Sequence, residues 1–169
     1  MASRSRDADF ASYLAAREQA HLRTAYALTG NLHDAQDLVQ TALAKLYLAW
    51  DSVRDRESLD GYVRRIMVNE NTSLWRRAWK RREHPSDDLP DLPAAGPRDH
   101  SDSARLWTFV QTLPTRQRAV VVLRYYEELS EAETADVLGI SVGTVKSQTS
   151  RALAALRERA PQSLREEDR

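Results

Sequence analysis

Between Ser130 and Leu156 the chain reads SEAETADVLGISVGTVKSQTSRALAAL, and its polar side chains recur with a helical period. Thr144, Lys146, Ser147, Gln148, Ser150 and Arg151 can all donate hydrogen bonds. Donors of this kind on one helix face read base edges and hold phosphates in a DNA major groove. The opposite stripe, Val142, Val145, Thr149, Ala152, Leu153 and Leu156, is the expected buried side. Upstream, Ser130 followed by Glu133 is a capping box that starts a helix, and Ser141 is placed to cap the next one. Two closely crossing helices need a small residue in the first, a tight turn, and an apolar residue where the second packs back. Ala135, Gly139 and Val145 stand at those places, with Leu138 and Ile140 closing the small core. The pattern predicts a helix-turn-helix. An ordinary amphipathic hairpin with a solvated face would leave the combination of cap, small residue, glycine and donor face without a reason.

Two further groups invite a chemical reading. The run Trp75-Arg76-Arg77-Ala78-Trp79-Lys80-Arg81-Arg82 joins cations that neutralise phosphates to aromatics that stack on unpaired bases. A solvated helix end is the competing explanation, because cations near a helix C-terminus also meet the negative end of its dipole. Asp34 and Asp37 lie near a helix start, where carboxylates are favoured for local reasons alone; their other use would be to meet a basic partner.

Other chemistry is poorly supported. The chain has no cysteine, and His21, His33, His84 and His100 lack a zinc-ligand spacing. A glycine-rich phosphate loop and a nucleophile–base signature are also missing, so neither catalysis, nor a metal, nor a cofactor is expected. No apolar run approaches eighteen residues, and Met1 to Phe10 mixes Arg with Asp, which predicts a cytoplasmic protein without membrane contact of its own.

The elements that carry these residues are helical. Phe10, Tyr13, Leu14, Leu22, Ala25, Tyr26 and Leu28 mark a long amphipathic helix ending at Gly30-Asn31. A second helix is predicted from near Asp34, with Leu38, Thr41, Ala42, the Lys45 stem, Leu46 and Ala49 as its stripe, broadened by Leu43, Tyr47 and Trp50. After a polar loop, Asp51 to Asp60, a third helix from about Leu59 carries Tyr62, Val63, Ile66, Met67 and Leu74 into the basic run. Residues 83–103 hold four of the six prolines and six acids against one base, without a helical period, and read as a flexible acidic linker. Beyond it come a helix from about Ala104 to Leu113, a second from Thr115 to Glu127 after Pro114, and two short helices divided at Gly139. The predicted architecture is all-α: two small helical domains, 1–82 and 104–160, joined by the linker 83–103 and followed by a tail, 161–169. The net charge of zero hides this arrangement, since residues 1–82 carry fourteen bases against ten acids and residues 104–160 eight against six.

Taken in order, these motifs resemble the extracytoplasmic-function (ECF) group of RNA polymerase sigma factors, in a form similar to the sigma-E subgroup of actinobacteria. Residues 10–82 look like sigma region 2, through His33-Asp34-Ala35-Gln36-Asp37-Leu38-Val39-Gln40 and Tyr62-Val63-Arg64-Arg65-Ile66-Met67-Val68-Asn69. Residues 104–160 look like region 4, through Leu113-Pro114-Thr115-Arg116-Gln117-Arg118, Leu129-Ser130 and Gly143-Thr144-Val145-Lys146-Ser147. The chain departs from the family pattern at Gln36, Thr41 and Gln148, and in having Thr72-Ser73 where an Asp is common.

The resemblance implies a role for each part. Asp34, Asp37 and Gln40 would dock on the clamp helices of the polymerase β′ subunit, and region 4 would meet the β flap. The Asp51–Asp60 loop and Asn69 would capture a flipped base of the melted −10 element, while Arg76, Arg77 and Lys80 hold the strand. Lys146, Ser147, Ser150 and Arg151 would read the −35 element, with Thr144 and Gln148 nearer the DNA backbone. The linker would thread toward the active-site cleft of the polymerase, and an anti-sigma factor is implied as a partner that clamps the two domains. Two other classes remain open at this level. A stand-alone helix-turn-helix regulator explains residues 130–156 and leaves the first half without a purpose; a sigma-like chain serving only to bind an anti-sigma factor would accommodate the departures.

Overall fold

In the computed structural model the described residues are 2–53, 55, 58–81 and 102–159. They form α1 (Ala2–Thr29), α2 (Leu32–Ala49), α3 (Leu59–Arg81), α4 (Asp102–Val110), α5 (Thr115–Val121, prolonged by a π-helical turn, Val122–Tyr126), α6 (Glu131–Leu138) and α7 (Val142–Arg159), with no strand among them. The chain is all-α, as predicted. It divides into two compact units, one built on the N-terminal helices up to Asn71 and the other on the C-terminal ones. Of the expected linker only Asp102 and Ser103 are described, and they already belong to α4; residues 83–101 and the tail 161–169 lie outside the described residues.

In the first unit α1 ends where Gly30 turns to φ +74°, a conformation that needs a glycine, with its N–H donated to the Tyr26 carbonyl at 2.7 Å. Asn31 then caps α2, its side-chain oxygen accepting the Asp34 N–H at 3.1 Å. The second helix therefore begins at Leu32, ahead of the predicted start near Asp34, because asparagine serves as an N-cap as well as aspartate does. Ala35, Leu38, Val39, Ala42, Leu43 and Leu46 form the buried face of α2, which packs on α1. Buried Ala25, Ala27 and Leu28 of α1 and Leu59, Val63, Met67 and Val68 of α3 belong to the same unit. Burying one such Leu or Val side chain contributes about 1.5–3 kcal/mol.

Ala35, Val39 and Leu43 rotate the buried face away from Thr41 and Lys45, which are exposed although the stripe was expected to include them. Tyr26 on α1 and Leu74 on α3 are likewise exposed rather than inside. Near the N-terminus, Arg6 donates to the Tyr47 carbonyl at 2.6 Å and pairs with Asp51 at 3.3 Å, and the Tyr47 hydroxyl donates to Asp7 at 2.8 Å. Phe10 meets Tyr47 and Trp50 edge-on, at 5.0 and 5.1 Å between centroids, so the start of α1 is tied to the end of α2.

In the second unit Val110, Leu113, Val121 and Ala152 form a core, with Trp107, Ala155 and Leu156 packed against it. Arg118 is buried, and its guanidinium donates to the carbonyls of Gln111 at 2.8 Å and Leu113 at 3.2 Å, tying down the turn after α4. Burial pushes its pKa below the ordinary arginine value. The uniform helix predicted over Thr115 to Glu127 instead widens into the π turn, where the Glu127 N–H reaches back to the Val122 carbonyl at 2.9 Å. Val120, Val121, Val122 and Leu123 are all buried in succession, more than one stripe of a regular helix can cover, and the wider turn accommodates them. It leaves Tyr125 exposed and sets Tyr126 edge-on to Trp107 at 5.3 Å.

Candidate nucleic-acid interface

The helix-turn-helix is assembled by local interactions visible in the sequence. Ser130 and Glu133 make the capping box reciprocally: the Ser130 N–H donates to Glu133 Oε2 at 2.7 Å, and the Glu133 N–H to Ser130 Oγ at 3.1 Å. At the other end of α6, Gly139 adopts φ +64° and the Ile140 N–H reaches the Ala135 carbonyl at 3.1 Å, a Schellman closure that turns the chain toward α7. Ser141 Oγ accepts the Thr144 N–H at 3.1 Å and starts α7, an 18-residue helix rather than the short one expected. Val145 and Ala152 are buried as predicted, and Thr149, Leu153 and Leu156 are half-buried, but Val142 is exposed. It is the first residue of α7, where no preceding turn covers it.

The polar face of α7 presents Lys146, Ser147, Ser150 and Arg151 to solvent, with Thr144 and Gln148 half-buried at its margins. Thr144 is engaged in the cap, its hydroxyl 2.8 Å from Ser141 Oγ, while the Ser147 hydroxyl donates to the Thr144 carbonyl at 3.0 Å. Lys146 pairs with Glu131 of α6 at 3.7 Å, a partner that the sequence reading did not include. On α6, Thr134 is fully enclosed, and its hydroxyl has no hydrogen-bond partner among the described residues.

In the first unit Asp34, Asp37 and Gln40 are all exposed on α2, opposite its buried face. The Asp37 carboxylate lies 3.5 Å from His33 Nε2, one helical turn back. The same face continues through Thr41 and Ala44 to Leu48, which is 81% exposed. Leu48 was not among the candidates, although its phase, off the stripe of Leu38, Ala42 and Leu46, could have singled it out. On α3, Asn69 and Arg77 are exposed, whereas the next residue but one to Asn69, Asn71, is buried; Glu70 pairs with Lys45. The side chains of Arg76 and Lys80, with those of Trp75 and Trp79, lie outside the described residues.

The start of α3 is tied to α1 by a polar cluster that sequence reasoning missed. Asp60, in the first turn of α3, accepts hydrogen bonds from the Tyr13 hydroxyl at 2.8 Å and Arg17 Nε at 3.1 Å, and pairs with the Arg17 Nη2 at 2.5 Å. Buried His21 completes the group, its Nε2 lying 2.8 Å from the Tyr13 hydroxyl and 3.4 Å from Asp60. Burial would raise the Asp60 pKa, but the hydrogen bonds from Arg17 and Tyr13 and the charge of Arg17 outweigh it and hold the carboxyl below its ordinary value. Burial, with the Asp60 hydrogen bond, pushes the Tyr13 phenol far above its ordinary value, so it stays a donor.

These surfaces define a class: a helical, two-unit protein with a capped helix-turn-helix whose polar face is exposed, and with an exposed acidic face on an N-terminal helix. Residues 14–81 match the Sigma-70 region 2 family and residues 103–156 the Sigma-70 region 4 family. The chain is 46% identical over 151 residues to the RNA polymerase sigma-E factor of Streptomyces coelicolor, covering 89% of this chain and 85% of that protein. It is 29% identical over 140 residues to the RNA polymerase sigma factor SigV of Bacillus subtilis, covering 83% and 84% of the two chains. The sigma factor RpoE of Bartonella quintana, solved in complex with the anti-sigma factor NepR, superimposes with a TM-score of 0.74 at 26% identity, over 89% of this chain and 95% of that one. CnrH, solved with the cytosolic domain of CnrY, gives a TM-score of 0.60 at 25% identity, over 95% and 89%. The chain belongs to the sigma-70 family, in its ECF group.

Proposed function

We propose that this protein binds core RNA polymerase and directs promoter-specific initiation, acting in the cytoplasm. The observation that carries the reading is the pairing, in one chain, of a solvent-facing acidic helix with a capped helix-turn-helix whose donor face is open. Asp34, Asp37 and Gln40 dock on the β′ clamp, where basic residues meet the two carboxylates and fix register. Residues 1–82 engage the −10 element: Asn69 receives an unstacked base, and Arg76, Arg77 and Lys80 hold the strand. Binding energy to the unstacked bases offsets the cost of unpairing. Residues 104–160 read the −35 element through Lys146, Ser147, Ser150 and Arg151, with Thr144 and Gln148 toward the DNA backbone, and dock on the β flap. Residues 83–103 form the tether between them.

An anti-sigma factor is the proposed regulatory partner. The sigma factor RpoE of Bartonella quintana, solved in complex with the anti-sigma factor NepR, supports that reading. The test is run-off transcription with actinobacterial core polymerase, comparing the wild type with the Asp34→Ala/Asp37→Ala and Lys146→Ala/Arg151→Ala pairs. Transcripts should require the added protein and fall with both pairs. DNA binding and repression indifferent to core polymerase would favour a stand-alone regulator instead.

A further inference from the structure

Lys146, on the polar face of α7, has an internal partner: its Nζ lies 3.7 Å from Glu131 Oε2, with both side chains solvent-accessible. Arg151, five residues on and also exposed, has no ion-pair partner among the described residues. Glu131 is the first residue of α6, where the positive end of the helix favours a carboxylate, and the capping box formed by its neighbours fixes that helix start. Its position is thus set by the fold of the motif rather than by the lysine. In a helix-turn-helix the first helix of the motif passes close to the phosphate backbone. A carboxylate there repels phosphate and offers Lys146 an internal alternative to it.

We propose that Glu131 sets the DNA affinity of this protein by acting as an internal anion that occupies Lys146 until DNA displaces it. The inference rests on the reading of α7 as the DNA-contacting helix. An exposed ion pair is weak, so Glu131 does not lock the lysine away; it subtracts one effective cation from the surface and makes the encounter with DNA less sticky. Contact with random sequence is held down, and productive binding depends on the polymerase contacts made by the rest of the molecule.

The test is a double-mutant cycle on the full chain, with wild type, Glu131→Gln, Lys146→Gln and the double variant. The probe is a fluorescein-labelled duplex of random sequence, titrated by anisotropy over a series of salt concentrations. Glu131→Gln should tighten binding about threefold to fivefold, the worth of an exposed pair. The slope of the logarithmic salt dependence should stay the same, because DNA displaces Glu131 and Lys146 meets phosphate with or without it. Lys146→Gln should cost little in the wild-type background and substantially more once Glu131 is gone. Equal losses from Lys146→Gln in both backgrounds would leave the reading of α7 standing and overturn this proposal alone. No loss in either background would mean that Lys146 does not meet DNA, and the reading of that residue would fall with the proposal. Thermal unfolding should be the same for wild type and Lys146→Gln, and slightly lower for the two variants that lose the Glu131 carboxylate at the start of α6.

Discussion

Replacing Asp60 by Asn keeps the shape of the side chain and removes its charge, and so isolates what the carboxylate does at the junction of α1 and α3. It loses the Arg17 pair at 2.5 Å and weakens the bond accepted from Tyr13 at 2.8 Å. Hydrogen bonds to a charged group contribute about 1.5–3 kcal/mol each. The Arg17 side chain is 39% exposed and that of Asp60 25%, so solvent screening reduces the sum, and we expect a loss of about 2 kcal/mol at neutral pH. For a unit of this size that corresponds to about 8–16 °C in the melting of the N-terminal helices. The assay is thermal unfolding of the full chain by circular dichroism, with hydrogen exchange assigning the destabilised segment to α1 and α3. The difference from wild type must also depend on pH in one direction. Because the folded state holds the Asp60 pKa below its unfolded value, its contribution is complete above the unfolded carboxylate pKa, about 3.9, and is lost as pH falls through the folded one. Wild type and Asp60→Asn should therefore converge in acid. Equal melting at pH 7, or a gap that does not shrink as pH falls below about 3.9, would refute the assignment of a stabilising charge to this cluster.

Thr134→Val removes a buried hydroxyl that has no partner among the described residues and preserves shape, so unfolding of the C-terminal unit should shift upward by about 1 kcal/mol in denaturant titrations; a decrease would mean that the hydroxyl is satisfied. Arg118→Met leaves the Gln111 and Leu113 carbonyls without their donor and should cost about 2–4 kcal/mol, read as loss of protection in the turn between α4 and α5. Leu48→Glu, at an 81% exposed position, should leave the melting temperature unchanged and weaken core polymerase binding about tenfold, measured by competition for core enzyme. Unchanged competition would remove Leu48 from the docking face.

Features governed by contacts within a few residues were legible from the sequence. The Ser130–Glu133 capping box, the positive φ at Gly139, the Ser141 cap and the buried Val145 and Ala152 all follow from residue type and spacing, because a helix end must satisfy its own orphan backbone groups locally. The exposure of Asp34, Asp37 and Gln40 follows from helical phase in the same way. The Tyr13–Arg17–His21–Asp60 cluster was not legible: Asp60 stands 47 residues from Tyr13, and in the sequence Tyr13 is indistinguishable from an apolar stripe residue. Nor was the π turn, which follows a run of consecutive buried residues ending at Leu123, or the exposure of Tyr26 and Thr41, where neighbouring helices decide which flank of a stripe is covered. The pairing of Glu131 with Lys146 is of the same kind, since it exists only once Gly139 has turned one helix against the next. The sequence by itself determined the helices, their caps and the donor face of α7, because those depend on backbone groups and side chains one turn apart. Only the tertiary structure decided which charges meet, because an ion pair or a buried hydrogen bond is set by distance in space, and the packing of helix on helix fixes that distance.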